Sequence, residues 1–323
     1  MVTLLSLLFL STAVFATVKY VFRAPELDTD KPVVTPDGTA SADADRTDTD
    51  EPDALGRTRR KYCYNILVSG LDDDNGGSDT NILVCFDVPN KRIDLVSLPR
   101  DTLLHNEYRN NKLNFAYAKG GTELLMEQIE NLLGIPVDFY VTVNLKGFIA
   151  LVDQIDGVDF DIPINMDYDD PYQDLHIHFT KGPRHLNGQE AMEVVRFRHN
   201  NDGTGYGTED IGRIGTQQAF LKAVAKQLLQ IGNVKNIPAL VDIFYTYVKT
   251  DLTTGNLVWL GNEALNIGTE NIHFATLPGD GSGYYNKQSV YVLDAQATCD
   301  LVNEALNPYN EALTLEDMDI LVP

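Results

Sequence analysis

The chain contains 323 residues, which is enough to bury one substantial hydrophobic core or two small ones. Hydrophobic residues account for 43% of the sequence and charged residues for 22%, as in an ordinary globular protein. The formal net charge of −22 argues against a nucleic-acid-binding protein, because phosphate binding depends on a basic surface.

The amino-terminal segment, residues 1–23, is predicted to be a transmembrane anchor outside the folded domain. Residues 2–22 are apolar apart from serine, threonine and Lys19, a length that roughly suffices to cross a bilayer. A cleaved signal peptide is the alternative interpretation. Lys19 and Arg23 follow the apolar run and no basic residue precedes it, which is the reverse of the positive-inside rule for a domain outside the cell.

Residues 24–60 are predicted to be a disordered, acidic, extracytoplasmic linker. This segment is rich in aspartate, threonine, proline and alanine and has almost no large apolar residue. It therefore cannot bury enough surface to offset the entropy lost on ordering. Basic residues at 57–61 close the segment, either as a solvated collar or as a contact for anionic lipid.

The folded domain is predicted to extend over residues 61–323 and to alternate strands with helices. Strands are predicted at 66–70, 81–88, 93–97, 139–143, 157–162 and 272–277. Helices are predicted at 122–133, 145–154, 187–199, 210–229, 237–248, 256–265 and 293–306. Residues 165–183 and the glycine-rich stretch after 277 are predicted to be loops. This alternation, with no second change in composition, indicates a single α/β domain with a central mixed sheet and helices on both faces.

The three cysteines form neither a C-x-x-C pair nor the framework of a disulfide-rich domain. We expect Cys63, Cys85 and Cys299 each to be a buried thiol. A single disulfide between Cys63 and Cys85 is the alternative.

An acidic, glycine-rich loop connects the first two predicted strands and contains Asp72, Asp73, Asp74 and Asp79. Open sheets place their ligand sites beyond such strand ends. Magnesium takes one or two carboxylates together with the phosphates of its substrate. A metal site is therefore one interpretation, and a turn that uses aspartate and glycine for conformational reasons is the other.

Basic side chains follow several predicted elements in this otherwise acidic chain. Arg100 and Asp101 come directly after the third strand, and Lys112 lies shortly before the following helix. Further arginines occur at Arg196, Arg198 and Arg213. Because the guanidinium fork binds phosphate in a bidentate manner, these residues are candidates for a phosphate site. Ion pairs with the abundant carboxylates are the alternative.

Other chemistries find little support in the sequence. His176, His178 and His185 suggest zinc, but no cysteine or glutamate stands at ligand spacing, so we do not favour a zinc site. The chain lacks a G-x-S-x-G elbow, a Walker loop and a G-x-G-x-x-G motif. The sequence therefore does not support assignment to the serine hydrolases, the nucleoside triphosphatases or the dinucleotide-binding enzymes.

Four blocks, in this order, resemble the LytR–CpsA–Psr (LCP) family of cell-wall glycopolymer ligases. The blocks are NILVSGLD at 65–72, SDT at 78–80 with SLPRDT at 97–102, KLNFAYAKGG at 112–121, and LNG at 186–188 with RFRH at 196–199, DIGR at 210–213 and QQ at 217–218. The resemblance is strong over residues 62–229 and looser beyond.

The resemblance implies an α-β-α fold and a single-pass cell-membrane enzyme of a Gram-positive-type bacterium, with its catalytic domain outside the cytoplasm. Such an enzyme transfers a teichoic-acid-like or capsular glycopolymer from a polyprenyl pyrophosphate carrier to a peptidoglycan hydroxyl, as a phosphodiester. Mg²⁺ or Mn²⁺ is the implied cofactor, and an apolar tunnel holds the lipid tail. Helical residues 124–133 and 148–152 are candidates to line it, with core packing as the alternative.

The resemblance also implies roles for individual side chains. Asp72 and Asp79 would bind the metal. The pyrophosphate would be bound by Arg100, Lys112, Arg196, Arg198 and Arg213. Arg100 would also be catalytic, together with the carboxylates Asp101 and Asp210.

Three positions depart from the pattern of the family. Asp73, Gly77 and Thr216 stand where members often have arginine. A pocket with fewer positive charges leaves two other functions open: a sensor that binds polyprenyl-linked precursors without turnover, and a polyprenyl pyrophosphatase.

Overall fold

The computed structural model describes residues 23–27, 52–53, 55–71, 77–106, 108, 110–206, 209–228 and 245–322. Asp72, almost all of the predicted anchor and most of the predicted linker lie outside these ranges, as does most of the helix predicted at 237–248. For residues 209–211, 213, 214 and 228 only the helical backbone is described. Within the described ranges, none of the helices combines the length and the apolar character that crossing a bilayer requires.

A central six-stranded mixed sheet is surrounded by helices and by three two-stranded ribbons. The strands are β1 (Cys63–Leu71), β2 (Ser78–Asp87), β3 (Arg92–Leu98), β4 (Phe139–Asn144), β5 (Val158–Ile162), β6 (Met166–Asp170), β7 (Leu175–Phe179), β8 (Gly182–Leu186), β9 (Val248–Thr250), β10 (Ile272–Thr276), β11 (Gly279–Tyr285) and β12 (Gln288–Leu293). The helices are α1 (Leu113–Leu133), α2 (Leu145–Gln154), α3 (Gly188–Arg196), α4 (Glu209–Leu228), α5 (Thr254–Ile267) and α6 (Ala295–Ala305).

The strand order of the central sheet is β10-β3-β2-β1-β4-β9. β1 is parallel to β4 and β3 is parallel to β10, whereas the other neighbours are antiparallel. The ribbons pair β5 with β8, β6 with β7 and β11 with β12. The predicted mixed sheet is thus confirmed.

Side chains alternate between the two faces of the sheet along each strand, and both faces are covered by other elements. On one face Cys63 and Leu67 join a core formed with α1 and α6. On the other face Tyr64 and Ile66 pack with α5. This confirms the prediction of helices on both faces. A separate core is formed by α2, α3 and α4 with the ribbons β5–β8 and β6–β7.

The predicted loop at 165–183 is wrong, because these residues form β6, β7 and the beginning of β8. Met166, Leu175, Ile177 and Phe179 are buried, and the charged residues between them are largely exposed. This two-residue period indicates a half-buried ribbon, but its many aspartates and histidines are residues typical of loops. The predicted glycine-rich loop after residue 277 is likewise wrong, since Gly279–Tyr285 is strand β11.

Helix α1 begins earlier than predicted, at Leu113, and is kinked at Gly120 and Gly121. Gly121 has a φ of +68°, a conformation that L side chains rarely adopt. The glycine pair therefore marks a kink within the helix, whereas the sequence suggested that it marks the helix start.

Basic residues that close the predicted linker pack on the folded domain. Arg59 pairs with Asp138 at 2.5 Å, and the Arg57 guanidinium lies 4.5 Å from the ring centroid of Tyr309. Arg57 is 6% exposed, so it is not part of a solvated collar. The distant partners that bury these side chains could not be identified from the local composition.

The three cysteines are buried free thiols, as predicted. The sulfur atoms of Cys63 and Cys85, on neighbouring strands, lie 3.7 Å apart. No disulfide joins them.

Candidate functional site

Several strands begin or end at one edge of the central sheet. Leu71 at the end of β1 pairs with Ser78 at the start of β2 and with Asn144 at the end of β4. The register then carries the edge to Leu98 at the end of β3 and to Thr276 at the end of β10. We call this side of the sheet the carboxyl edge. It is where open sheets place their ligands.

Four predicted site residues meet at the carboxyl edge. The Arg100 Nη1 donates to Asp79 Oδ1, and Arg100 Nε lies 3.8 Å from Asp101 Oδ2. Lys112 Nζ lies 3.0 Å from Asp101 Oδ1. Their side chains are 20–38% exposed, so solvent and solutes reach them. We refer to Asp79, Arg100, Asp101 and Lys112 as the Arg100 cluster.

The backbone after β3 explains why these side chains meet. Thr102 is completely buried, and its hydroxyl donates to the carbonyl of Pro99 at 2.6 Å, which closes a turn. The N–H of Asn114 donates to the carbonyl of Arg100 at 2.9 Å. These bonds fasten the beginning of α1 to the turn and bring Lys112 beside it.

Helix α4 approaches the same edge from the side of β10. Gln218 Nε2 donates to the carbonyl of Ala275 at 2.9 Å and to Thr276 Oγ1 at 2.6 Å. Lys222, one turn further on, lines a groove along Ile272–Phe274 earlier in β10. Gln218 thus holds α4 to the end of β10, and the amino-terminal part of the helix precedes this contact in the chain.

Asp210 and Arg213 belong to this amino-terminal part of α4. The helix begins at Glu209, so Asp210 lies in its first turn. In the helix, Asp210 precedes Gln218 by eight positions and Arg213 precedes it by five. Their side chains lie outside the described part of the structure, and their roles stay predictions.

Arg196 and Arg198 flank the end of α3. Arg196 is the last helical residue, and its Nη2 donates to Gln173 Oε1 in the turn between β6 and β7. Phe197 is extended and completely buried, and Arg198 beyond it is exposed. The hydrogen bond of Arg196 is thus made to the β6–β7 ribbon, a contact that the sequence did not predict.

The resemblance implies a magnesium or manganese ion, and the donor atoms at the carboxyl edge suit one. Asp79 offers carboxylate oxygens, the ligands that hard cations prefer. Asp72 follows Leu71 directly, and Leu71 pairs with Ser78 next to Asp79. The described residues therefore fit the group, although Asp72 itself lies outside them.

The residues expected to line an apolar tunnel are largely core residues. Leu125, Ile129 and Leu132 are at most 1% exposed and pack between α1 and the sheet. Val152 is completely buried in the core around α2, α3 and α4. Core packing therefore accounts for these side chains.

The three histidines do not form one group. His176 and His178 lie with Asp169 on β6–β7, whereas His185 pairs with Asp159 on β5–β8 at 2.8 Å. Hydrogen bonding to Asp169 raises the pKa of His176 above its ordinary value. Spacing along the sequence does not reveal this group, because its carboxylate, Asp169, comes from the paired strand and is neither a cysteine nor a glutamate.

A model of the LytR_cpsA_psr family matches residues 33–307. The chain belongs to the LytR–CpsA–Psr family. This confirms the resemblance carried by the four sequence blocks.

Two LCP relatives illustrate the range of the family. The Bacillus subtilis protein named polyisoprenyl-teichoic acid–peptidoglycan teichoic acid transferase TagV is 32% identical over 252 residues, 74% of this chain and 62% of TagV. The crystal structure of B. subtilis TagV has a TM-score of 0.65 and 27% identity, covering 81% of this chain and all of that one. Regulatory protein MsrR of Staphylococcus aureus strain COL is 31% identical over 219 residues, 66% of this chain and 64% of MsrR.

The structure describes two of the three positions that depart from the LCP pattern. Thr216 is buried and its hydroxyl donates to the carbonyl of Gly212 at 3.0 Å, within α4. A side-chain carbon at Gly77 would come no closer than 3.8 Å to a neighbour, the carbonyl oxygen of Asn114. Neither position supplies positive charge, so Arg100 and Lys112 are the described cations of the cluster. Asp73 lies outside the described residues.

Proposed function

We propose that this protein transfers a teichoic-acid-like or capsular glycopolymer from a polyprenyl pyrophosphate to a peptidoglycan hydroxyl. The observation that carries the proposal is the guanidinium of Arg100, held between two carboxylates at the carboxyl edge of an LCP fold. The transferase name of the relative TagV supports the choice of substrates.

The Arg100 cluster suits a pyrophosphate. A transferring phosphoryl group spreads negative charge over its oxygens, so catalysis consists mainly of placement and charge stabilisation. Arg100 and Lys112 supply cationic donors to these oxygens, and their ion pairs position them before the substrate arrives. A magnesium or manganese ion held by Asp72 and Asp79 would neutralise further charge on the phosphates.

The reaction balances as a substitution at phosphorus. The oxygen of the acceptor hydroxyl forms a bond to the phosphorus that carries the glycopolymer. The bond from that phosphorus to the bridging oxygen breaks, and polyprenyl phosphate leaves with this oxygen. The hydroxyl proton passes to a carboxylate, for which Asp101, held by Lys112, is the described candidate.

Residues 1–23 would anchor the chain as a single-pass membrane protein, and the folded domain would lie outside the cytoplasm. This arrangement would bring the site to the membrane that contains the lipid-linked substrate.

The first prediction tests the role of Arg100. The full-length protein is assayed with a polyprenyl-pyrophosphate-linked saccharide, Mg²⁺ and a peptidoglycan fragment. We expect Arg100→Ala to lower kcat/KM by about 100-fold, the usual loss when one charge-stabilising donor is removed. The control is Arg184→Ala, which removes the ion pair between Arg184 on β8 and Glu190 on α3. This variant should keep its activity. Full activity in folded Arg100→Ala would contradict the proposal.

A sensor that binds precursors without turnover is the second candidate. Two observations favour it. Asp73, Gly77 and Thr216 stand at three positions where members of the family often have arginine, and one relative is named a regulatory protein. Binding without transfer in the same assay would support the sensor. Release of polyprenyl phosphate without a phosphodiester product would instead indicate a pyrophosphatase.

A further inference from the structure

The exposed face of the β6–β7 ribbon carries two aspartates and two histidines. The register pairs Asp167 with His178 and Asp169 with His176. Since residues two positions apart point to the same side of a strand, all four side chains share one face. The opposite face is buried in the core around α2, α3 and α4, which fixes the orientation of the ribbon.

The distances bring three of these side chains around one point. Asp169 Oδ1 lies 2.5 Å from His176 Nδ1 and 3.3 Å from His178 Nε2. One ligand atom from each of the three residues lies within 4.8 Å of the others. Ligands at zinc bond lengths of about 2.0–2.1 Å in a tetrahedron are about 3.3 Å apart, so small side-chain rotations suffice to surround an ion.

The neighbouring loop orients Asp169. Its backbone N–H donates to Asn201 Oδ1 at 3.0 Å, and Asn201 Nδ2 donates back to Asp169 Oδ2 at 3.3 Å. One carboxylate oxygen is thereby occupied and the other is directed at the histidines. Outer partners of this kind hold metal ligands in place and raise affinity.

We propose that Asp169, His176 and His178 bind one divalent transition-metal ion, for which Zn²⁺ is the best suited, and that Asp167, which lies 2.8 Å from His178 Nδ1, orients that imidazole as an outer partner. Imidazole nitrogens with a carboxylate suit zinc, copper and nickel, whereas magnesium prefers oxygen ligands alone. This site is separate from the Arg100 cluster, which offers carboxylates without imidazole.

The site would have a structural consequence for Arg196 and Arg198 at the end of α3. The turn of the ribbon carries Gln173, the hydrogen-bond partner of Arg196. The loop that holds Asp169 through Asn201 begins shortly after Arg198. A metal ion would therefore join the ribbon to the segment that carries both arginines.

An ordinary surface ion pair is available as an internal comparison. His185 contacts Asp159 at 2.8 Å on the β5–β8 ribbon. Among the described residues, the three-ligand group includes His176 and His178 but not His185. His185→Ala is therefore a matched control, since it removes one Asp–His pair without removing a proposed ligand.

The test is a calorimetric titration of the untagged full-length protein with ZnCl₂, in the presence of excess MgCl₂. We expect one Zn²⁺ per chain in the wild type and in His185→Ala. His176→Ala should bind at least about 10-fold more weakly, since even outer-shell changes cost 10–100-fold. Asn201→Ala should also lose about 10-fold.

All the substituted histidines are more than half exposed, so the variants should fold, which circular dichroism checks. Equal Zn²⁺ affinity in the wild type and His176→Ala would overturn the proposal. An equal loss in His185→Ala, or displacement of Zn²⁺ by Mg²⁺, would overturn it as well. The titration involves no transfer reaction, so its outcome is independent of the proposed enzyme activity.

Discussion

The Arg100 cluster combines two cations and two carboxylates at partly exposed positions. Exposed pairs of this kind stabilise a fold by about 1 kcal/mol or less. Their value to the fold is therefore small. A site that binds an anionic substrate next to a cation gives a better reason for keeping four charged groups together.

Lys112 provides the second prediction. Lys112→Ala removes a donor to the phosphates and leaves Asp101 without the partner at 3.0 Å. We expect KM for the lipid-linked substrate to rise about 10-fold, the loss of one charge-assisted hydrogen bond. Lys112→Arg should recover most of the binding, and Lys181→Ala, on an exposed loop, serves as the control. An unchanged KM in Lys112→Ala would show that the lysine does not contact substrate.

The residues of the Arg100 cluster could be predicted in large part from the sequence. Asp79, Arg100 and Asp101 follow or begin strands, so that an open sheet brings them to one edge. The hydrogen bond of Arg196 to Gln173 could not be predicted from the sequence. It depends on the β6–β7 ribbon, and the composition of residues 165–183 predicted a loop there.

Helices and strands were predicted best where the local sequence alone specifies where the element begins. Helix α3 has a capping box, in which Asn187 accepts from the N–H of Glu190 at 3.0 Å and Glu190 accepts from the N–H of Asn187 at 3.1 Å. The β6–β7 ribbon also had a periodic signal, but its polar face is made of residues typical of loops. The apolar face decided the structure, because it completes the core around α2, α3 and α4.

The capping box gives a prediction on stability. Burial raises the pKa of Glu190, but the N–H of Asn187 and the side chain of Arg184 outweigh it, so that the net pKa lies below its ordinary value. The stabilisation is therefore complete above the unfolded-state pKa of about 4.3 and is lost as pH falls through the lower folded-state pKa. Glu190→Ala should lower the free energy of unfolding by about 1 kcal/mol at neutral pH.

Urea unfolding at a series of pH values measures this effect. The difference between the wild type and Glu190→Ala should shrink below pH about 4, where the carboxylate becomes protonated. Gln189→Ala, on the exposed side of the same helix turn, should change stability little at any pH. If the difference in the free energy of unfolding between the wild type and Glu190→Ala does not depend on pH, the charge of Glu190 does not contribute to stability.

The whole molecule joins parts of the chain that are far apart in sequence. β10 pairs with β3 across more than 170 residues, and α4 then packs beside it. The layers were predictable from the alternation of strands and helices, but this strand order was not, because local patterns do not encode which strands pair. The order matters for function, since it places the end of β10, to which Gln218 of α4 is hydrogen-bonded, at the same edge of the sheet as the Arg100 cluster.

The proposed function requires that the carboxyl edge bind a lipid diphosphate through Arg100. The most direct measurement is mass spectrometry of lipids that co-purify with the full-length protein extracted from membranes. We expect polyprenyl phosphates or pyrophosphates with the wild type and with Arg184→Ala, and a depletion of about 10-fold or more in Arg100→Ala, as one lost charged contact implies. Equal lipid content in folded Arg100→Ala and the wild type, or no such lipid in either, would contradict the account.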